Sequence, residues 1–126
     1  MADAFVLDYV RTPRGKGSPR GALAGVRPID LVVGLQRALV KRTGLDPARV
    51  EDVIIGSASQ VDDQGGNLAR TATLLAGWGD HVPGGTVNRF CASGIDAVAQ
   101  VSARIRAGEL RLAVAGGVES VSRVPM

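Results

Sequence analysis

Cys91 is the only cysteine in the chain, and it stands in VNRFCASG (residues 87–94), between a β-leaning run, GGTV, and a long helical pattern. A packing cysteine fits anywhere in a core, whereas a nucleophile gains from this particular junction. At a helix N-terminus, unpaired backbone N–H groups and the helix dipole favour the thiolate. Ala92, Ser93 and Gly94 are small enough for a substrate carbonyl to reach the sulfur. The same N–H groups suit the oxyanion of a tetrahedral centre. Asn88, three residues before the thiol, is placed either to orient the cysteine loop or simply to turn the chain. Gly116 and Gly117, in AVAGGVES, are expected to permit close backbone approach near such a site, and Glu119 to brace a loop. The one histidine, His81, lies upstream in GDHVPGG among turn formers, where a solvated ring is expected rather than a base for Cys91.

Positioning a strand-end nucleophile needs a sheet and helices, and the periodicities supply both. Residues 5–10, FVLDYV, read as a first strand, and RTPRGKGSPRGALAG (residues 11–25) as an irregular basic loop. A helix follows from Pro28 to about Gly44, with Leu31, Leu35, Ala38 and Leu39 on one face. Asp46-Pro47 opens a brief helical turn capped by Asp46. VIIGSAS (residues 53–59) is a second strand, and a helix over residues 67–76 turns Leu68, Ala72 and Leu75 inward. Residues 85–88 make a third strand. Cys91 opens a third helix bearing Ile95, Val98, Val101 and Ile105, and residues 112–115 form a fourth strand. The order β, α, β, α, β, α, β with continuously apolar strands predicts an α/β fold with a mainly parallel sheet between helices.

Composition sets the outer limits. With 45% hydrophobic and 21% charged residues the chain should bury a core as one domain or a piece of one. Its 3% aromatics leave Ala, Val and 17 glycines to pack closely. The net charge of +3 is spread over helix faces and one loop without interleaved aromatics, which argues against nucleic acid and allows a polyanionic small molecule. A single cysteine excludes an internal disulfide and a cysteine zinc site. No apolar run reaches the roughly 18–20 residues of a membrane span, so no membrane is expected. The start of the chain has no signal-like pattern, and a reducing cytoplasm is the simplest compartment. Gly15-Lys16-Gly17-Ser18 lacks phosphate-loop spacing, since position 10 is valine. Asp62-Asp63 reads as a solvated loop rather than a metal site, and Arg14, Lys16 and Arg20 as solvated charges.

VNRFCASGIDAV followed by AVAGGVESVSRVPM resembles the N-terminal part of the thiolases, the acetyl-CoA acetyltransferase and 3-ketoacyl-CoA thiolase family. RTPRGKGSPRGALAGVRPIDL is similar to that family's first strand, loop and helix, so the resemblance runs over nearly the whole chain in order. It implies a layered αβαβα fold, of which residues 1–126 are a partial N-terminal domain, with the loop domain and C-terminal domain absent. It also implies that Cys91 is the acylated nucleophile of thiolytic cleavage or Claisen condensation, with Asn88 and Gly117 in supporting places. Coenzyme A and acyl-CoA would be substrates, and neither metal nor redox cofactor would be needed. The family's activating histidine in a GHP block, its second cysteine in a CxGGG-like block and its asparagine in a NEAFA-like block are not in this sequence. The isolated chain is therefore expected to be inactive, and to work in a homo-oligomer or with a second chain carrying those motifs. The alternative is a non-catalytic, thiolase-like module that only packs against partners. Ketoacyl synthases share the fold and a cysteine nucleophile, but their local motifs differ from VNRFCASG.

Overall fold

The computed structural model describes residues 3–126. Three helices and three strands alternate along most of it: α1 (Pro28–Thr43), β1 (Asp52–Gly56), α2 (Leu68–Leu75), β2 (Gly85–Val87), α3 (Ser93–Arg106) and β3 (Ala113–Gly117). The strands are all parallel in the order β2-β1-β3. The central strand is DVIIG, whose β-branched residues are buried on both faces. Val53 and Ile55 point into one core with Val32 and Val33 of α1 and Leu68 and Ala72 of α2. Ile54 points the other way, onto Ala97 and Val101 of α3. The result is a three-layer αβα unit, with α1 and α2 on one side of the sheet and α3 on the other.

Local chemistry sets the element ends. Pro28 occupies the first turn of α1, and Gly44 ends the helix at φ 69°, donating its N–H to the Val40 carbonyl. The Asp46 carboxylate accepts the Ala48 N–H and caps a short 3₁₀ turn, Pro47–Arg49. Asn67 caps α2 by accepting the Arg70 N–H, and donates to the Gly84 carbonyl at 2.8 Å, tying the start of α2 to the approach to β2.

Several expectations from the sequence change here. Residues 5–10 form no strand, and Phe5, Val6, Leu7 and Tyr9 are exposed. A strand exists only where another supplies its hydrogen bonds, and neither edge of the sheet pairs with this segment. It is held near α1 by an ion pair between Asp8 and Arg42 (3.0 Å). In α1 the fully buried stripe is Val32, Val33 and Gln36, while Leu31, Leu35, Ala38 and Leu39 are half-buried. Gln36 is admitted to the core because its amide donates to Thr73 of α2 (3.1 Å). Leu75 is half exposed, the inner face of α2 being Leu68, Ala69, Ala72 and Thr73. On α3, Ile95 (79% exposed) and Val98 face outward, while Ala97, Val101 and the partly buried Ile105 form its apolar contact with the sheet. Ala92, Ala99 and Ala103 are exposed as well.

Candidate active site

In a parallel sheet all carboxyl ends lie on one edge, and here they are level. Gly56 of β1 pairs with Val87 of β2 on one side and Gly117 of β3 on the other. The N-terminus of α3 rests directly on these ends. A Cβ added to Gly56 would lie 2.2 Å from the Ser93 carbonyl carbon, and one on Gly117 would lie 3.2 Å from the Gly94 Cα. Glycine at 56 and 117 is thus what lets the helix approach so closely. Gly116, expected to share this role, has room: its Cβ would meet only the Ile55 side chain, at 3.7 Å.

Between β2 and α3 the chain makes two overlapping turns. Ala92 N–H donates to the Arg89 carbonyl (3.1 Å) and Ser93 N–H to the Phe90 carbonyl (3.1 Å). Phe90 lies at φ 50°, a left-handed conformation that costs an L-residue roughly 1–2 kcal/mol. Three side-chain hydrogen bonds oppose that cost. The Phe90 N–H donates to Asn88 Oδ1 (2.8 Å), the Ser93 hydroxyl donates to the Phe90 carbonyl (2.6 Å), and the Arg89 N–H donates to Ser93 Oγ (2.8 Å). At about 1 kcal/mol each, they outweigh the strain. Arg89 also pairs with Asp96 in the first turn of α3 (3.2 Å), which accepts from Gln100 as well (2.6 Å).

Cys91 follows this strained residue and is exposed. It lies one residue before the helix cap Ala92, so α3 opens at Ser93 rather than at the thiol itself. Asn88 sits at the base of the same loop, and besides receiving the Phe90 N–H it donates to the Ala58 carbonyl beyond β1 (2.9 Å). Ser93, which the sequence reading used only for its small size, proves to close the turn. A serine two residues after a cysteine gives no local sign of that.

The third loop at this edge follows β3. The Glu119 carboxylate accepts the N–H groups of Ala58 (2.7 Å) and Ser59 (3.3 Å) and the side-chain amide of Gln64 (2.7 Å). Gln64 is wholly buried, and it also donates to the Ser59 carbonyl and receives the Ser120 N–H. The Asp62-Asp63 segment is not merely solvated, since Asp63 pairs with Arg123 (2.6 Å). Among the described residues no group of three or more His, Cys, Asp or Glu is placed to hold a metal ion.

His81 is exposed and lies against Gly79, in the loop that enters β2. Cys91 lies beyond the other end of that strand, so the structure does not bring the two together. Among the described residues no helix is long and apolar enough to cross a membrane.

Residues 4–126 match the family described as "Thiolase, N-terminal domain". The chain is 47% identical to a beta-ketoadipyl-CoA thiolase of Escherichia coli, over 99% of its own length and 31% of that protein. It is 44% identical to a steroid 3-ketoacyl-CoA thiolase of Mycobacterium tuberculosis, over 100% of its length and 30% of the relative. The crystal structure of the Bacillus anthracis acetyl-CoA acetyltransferase aligns with 83% of this chain and 26% of its own, at 43% identity and a TM-score of 0.77. This chain therefore spans about a third of the length of the curated relatives it matches.

Proposed function

The chain belongs to the thiolase family, and from that premise we propose that it supplies the nucleophilic segment of a coenzyme A-dependent acyltransferase. The Cys91 thiolate attacks the keto carbon of a 3-ketoacyl-CoA, and the bond from that carbon to the α-carbon breaks. Acetyl-CoA leaves as its enolate and is protonated, while the shortened acyl group stays on sulfur as a thioester. The thiol of a second coenzyme A then takes the acyl group, loses its proton and frees Cys91. Run backwards, the same steps are a Claisen condensation. The covalent intermediate splits one hard exchange into two easier ones, and neither step calls for a metal or redox cofactor.

The observation that carries this reading is the exposed thiol at the level carboxyl edge of a parallel sheet, next to a Phe90 held in the left-handed conformation. Asn88 and Gly117 are supporting residues, one holding the loop and the other making room for the helix behind it. The names of the relatives favour 3-ketoacyl-CoA thioesters as the substrate class. Since His81 lies at the far end of β2, proton transfer at Cys91 depends on groups outside these 126 residues. They would come from further chain, from a homo-oligomer or from a second polypeptide, and the outward apolar side of α3 suits such cover. The cytoplasm, where a lone thiol stays reduced, is the compartment that fits.

The test is acylation of the native, assembled protein by acetyl-CoA, followed by intact-mass and peptide mass spectrometry. Stoichiometric acetyl thioester on Cys91, lost in Cys91→Ser, is the expected result. Assembled protein that takes up no acetyl group would instead favour the non-catalytic module.

A further inference from the structure

The three loops at the carboxyl edge are laced together in one direction, from β3 through β1 to β2, and the last of them carries Cys91. We propose that Glu119 is a positioning residue for Cys91, acting through the Ala58–Ser59 peptide and the Asn88 side chain. The inference rests on the nucleophile reading of Cys91 and assigns to Glu119 a part in the same site.

The links are continuous. Glu119 Oε1 accepts the Ser59 N–H (3.3 Å), and the carbonyl of that same peptide unit, on Ala58, accepts Asn88 Nδ2 (2.9 Å). Glu119 Oε2 accepts the N–H of the preceding peptide, on Ala58 (2.7 Å), so the carboxylate holds two consecutive peptide units. Asn88 Oδ1 then accepts the N–H of Phe90, the left-handed residue immediately before the exposed Cys91. A negative charge on the N–H side of a peptide polarises its carbonyl and strengthens it as an acceptor, so each bond in the series supports the next.

Glutamate suits this place better than its amide would. All three partners of the carboxylate are donors: two backbone N–H groups and the Gln64 amide. A carboxylate accepts from all three, whereas glutamine must turn an NH₂ against one of them. Glu119 itself is oriented by the buried Gln64, whose Oε1 is fixed by the Ser120 N–H (2.6 Å). No Lys or Arg pairs with Glu119 among the described residues, so the side chain serves the peptide rather than an ion pair.

The experiment compares Glu119→Gln, Asn88→Asp and the double variant in the native, assembled protein. Asn88→Asp keeps the acceptor for Phe90 N–H and removes the donor to Ala58, which cuts the series at one known link. Each single variant should lower kcat for acetyl transfer to Cys91 by about tenfold, with KM for acetyl-CoA changed less than about twofold. The double variant should be no slower than the slower single, because both changes break one series. Backbone hydrogen exchange of the peptide covering residues 87–92 should quicken in both singles and no further in the double. Multiplying kcat losses, a change confined to KM, or unaltered exchange in Glu119→Gln would overturn the proposal. If the wild type accepts no acetyl group, the acyltransferase reading fails, and exchange alone decides the positioning claim by the same criterion.

Discussion

Replacing Gly56 by alanine is the sharpest perturbation of the site that does not touch Cys91. The new Cβ would lie 2.2 Å from the Ser93 carbonyl carbon, 2.3 Å from its oxygen and 2.6 Å from the Gly94 nitrogen. All three are backbone atoms at the start of α3, so no side-chain rotation relieves the clash. The helix must retreat by about 1 Å, and a displacement of that size at reacting groups costs about 100-fold in rate. Overpacking of this kind also destabilises by about 1–3 kcal/mol. Gly116→Ala is the internal control, in the neighbouring strand and in register with Ile55, on the face of the sheet away from α3. Its Cβ meets only the Ile55 Cδ1 at 3.7 Å, an ordinary contact. Removing a strand glycine should there raise stability by about 0.5–1 kcal/mol. Gly117→Ala, at 3.2 Å from the Gly56 carbonyl and the Gly94 Cα, should fall between the two. Acetyl transfer to Cys91, followed by mass spectrometry, gives the rates, and urea titration gives the stabilities. If Gly56→Ala proves as mild as Gly116→Ala in both assays, α3 is free to slide over the strand ends, and close contact is not what places the thiol.

Three further outcomes follow from the same geometry. Ser93→Ala removes the acceptor of the Arg89 N–H and the donor to the Phe90 carbonyl at a 3%-exposed position, and should lower stability by about 1–3 kcal/mol in a urea titration. The Glu51 carboxyl is held below its ordinary value first by the Arg111 backbone N–H (2.6 Å) and then by the Arg111 side chain. A depressed carboxyl stabilises the fold above its unfolded pKa and loses that effect as pH falls through the lower, folded value. The stability gap between wild type and Glu51→Gln should therefore be present at pH near 7 and shrink in acid, as read by urea midpoints. Residues 1–126 produced alone should neither turn over acetoacetyl-CoA nor stay monomeric in analytical ultracentrifugation, because Phe90, Ile95 and Val98 lie exposed around the start of α3.

What could be read in the sequence was mainly local chemistry. Pro28 and Gly44 bound α1, Asp46 caps a turn, and the VII run of β1 is the one strand buried on both faces; all act within a few residues of themselves. What escaped depends on distant partners. Residues 5–10 have the composition of a strand, yet pairing needs an edge that the pattern cannot supply. The α1 stripe lies on Val32, Val33 and Gln36 because Gln36 finds Thr73, 37 residues away, so a polar residue took a core place that hydropathy assigned to leucine. Gln64 is likewise a loop residue by type but a wholly buried brace by its contacts. At the site, the position of Cys91 was legible from the junction of strand and helix. The left-handed Phe90 was not, since nothing in an aromatic residue signals positive φ, and it is imposed by Asn88 and Ser93 on either side.

The balance of forces around Cys91 bears on whether it is a packing residue or a reagent. A buried structural thiol would add contacts to the core, but this one is exposed and adds none. The surroundings instead carry costs: an aromatic residue in a strained conformation, and strand glycines at 56 and 117 that give up side-chain packing so that α3 can approach. Three loops then spend their hydrogen bonds on holding the turn in place. Such an arrangement lowers stability unless the thiol's position has another use, and every interaction here fixes where the sulfur is rather than how its proton leaves. That division suits a segment which delivers a nucleophile to a base held elsewhere. It also predicts an asymmetry between partners: supplying the missing chain should restore acyl transfer to Cys91, while no substitution within residues 3–126 should do so alone.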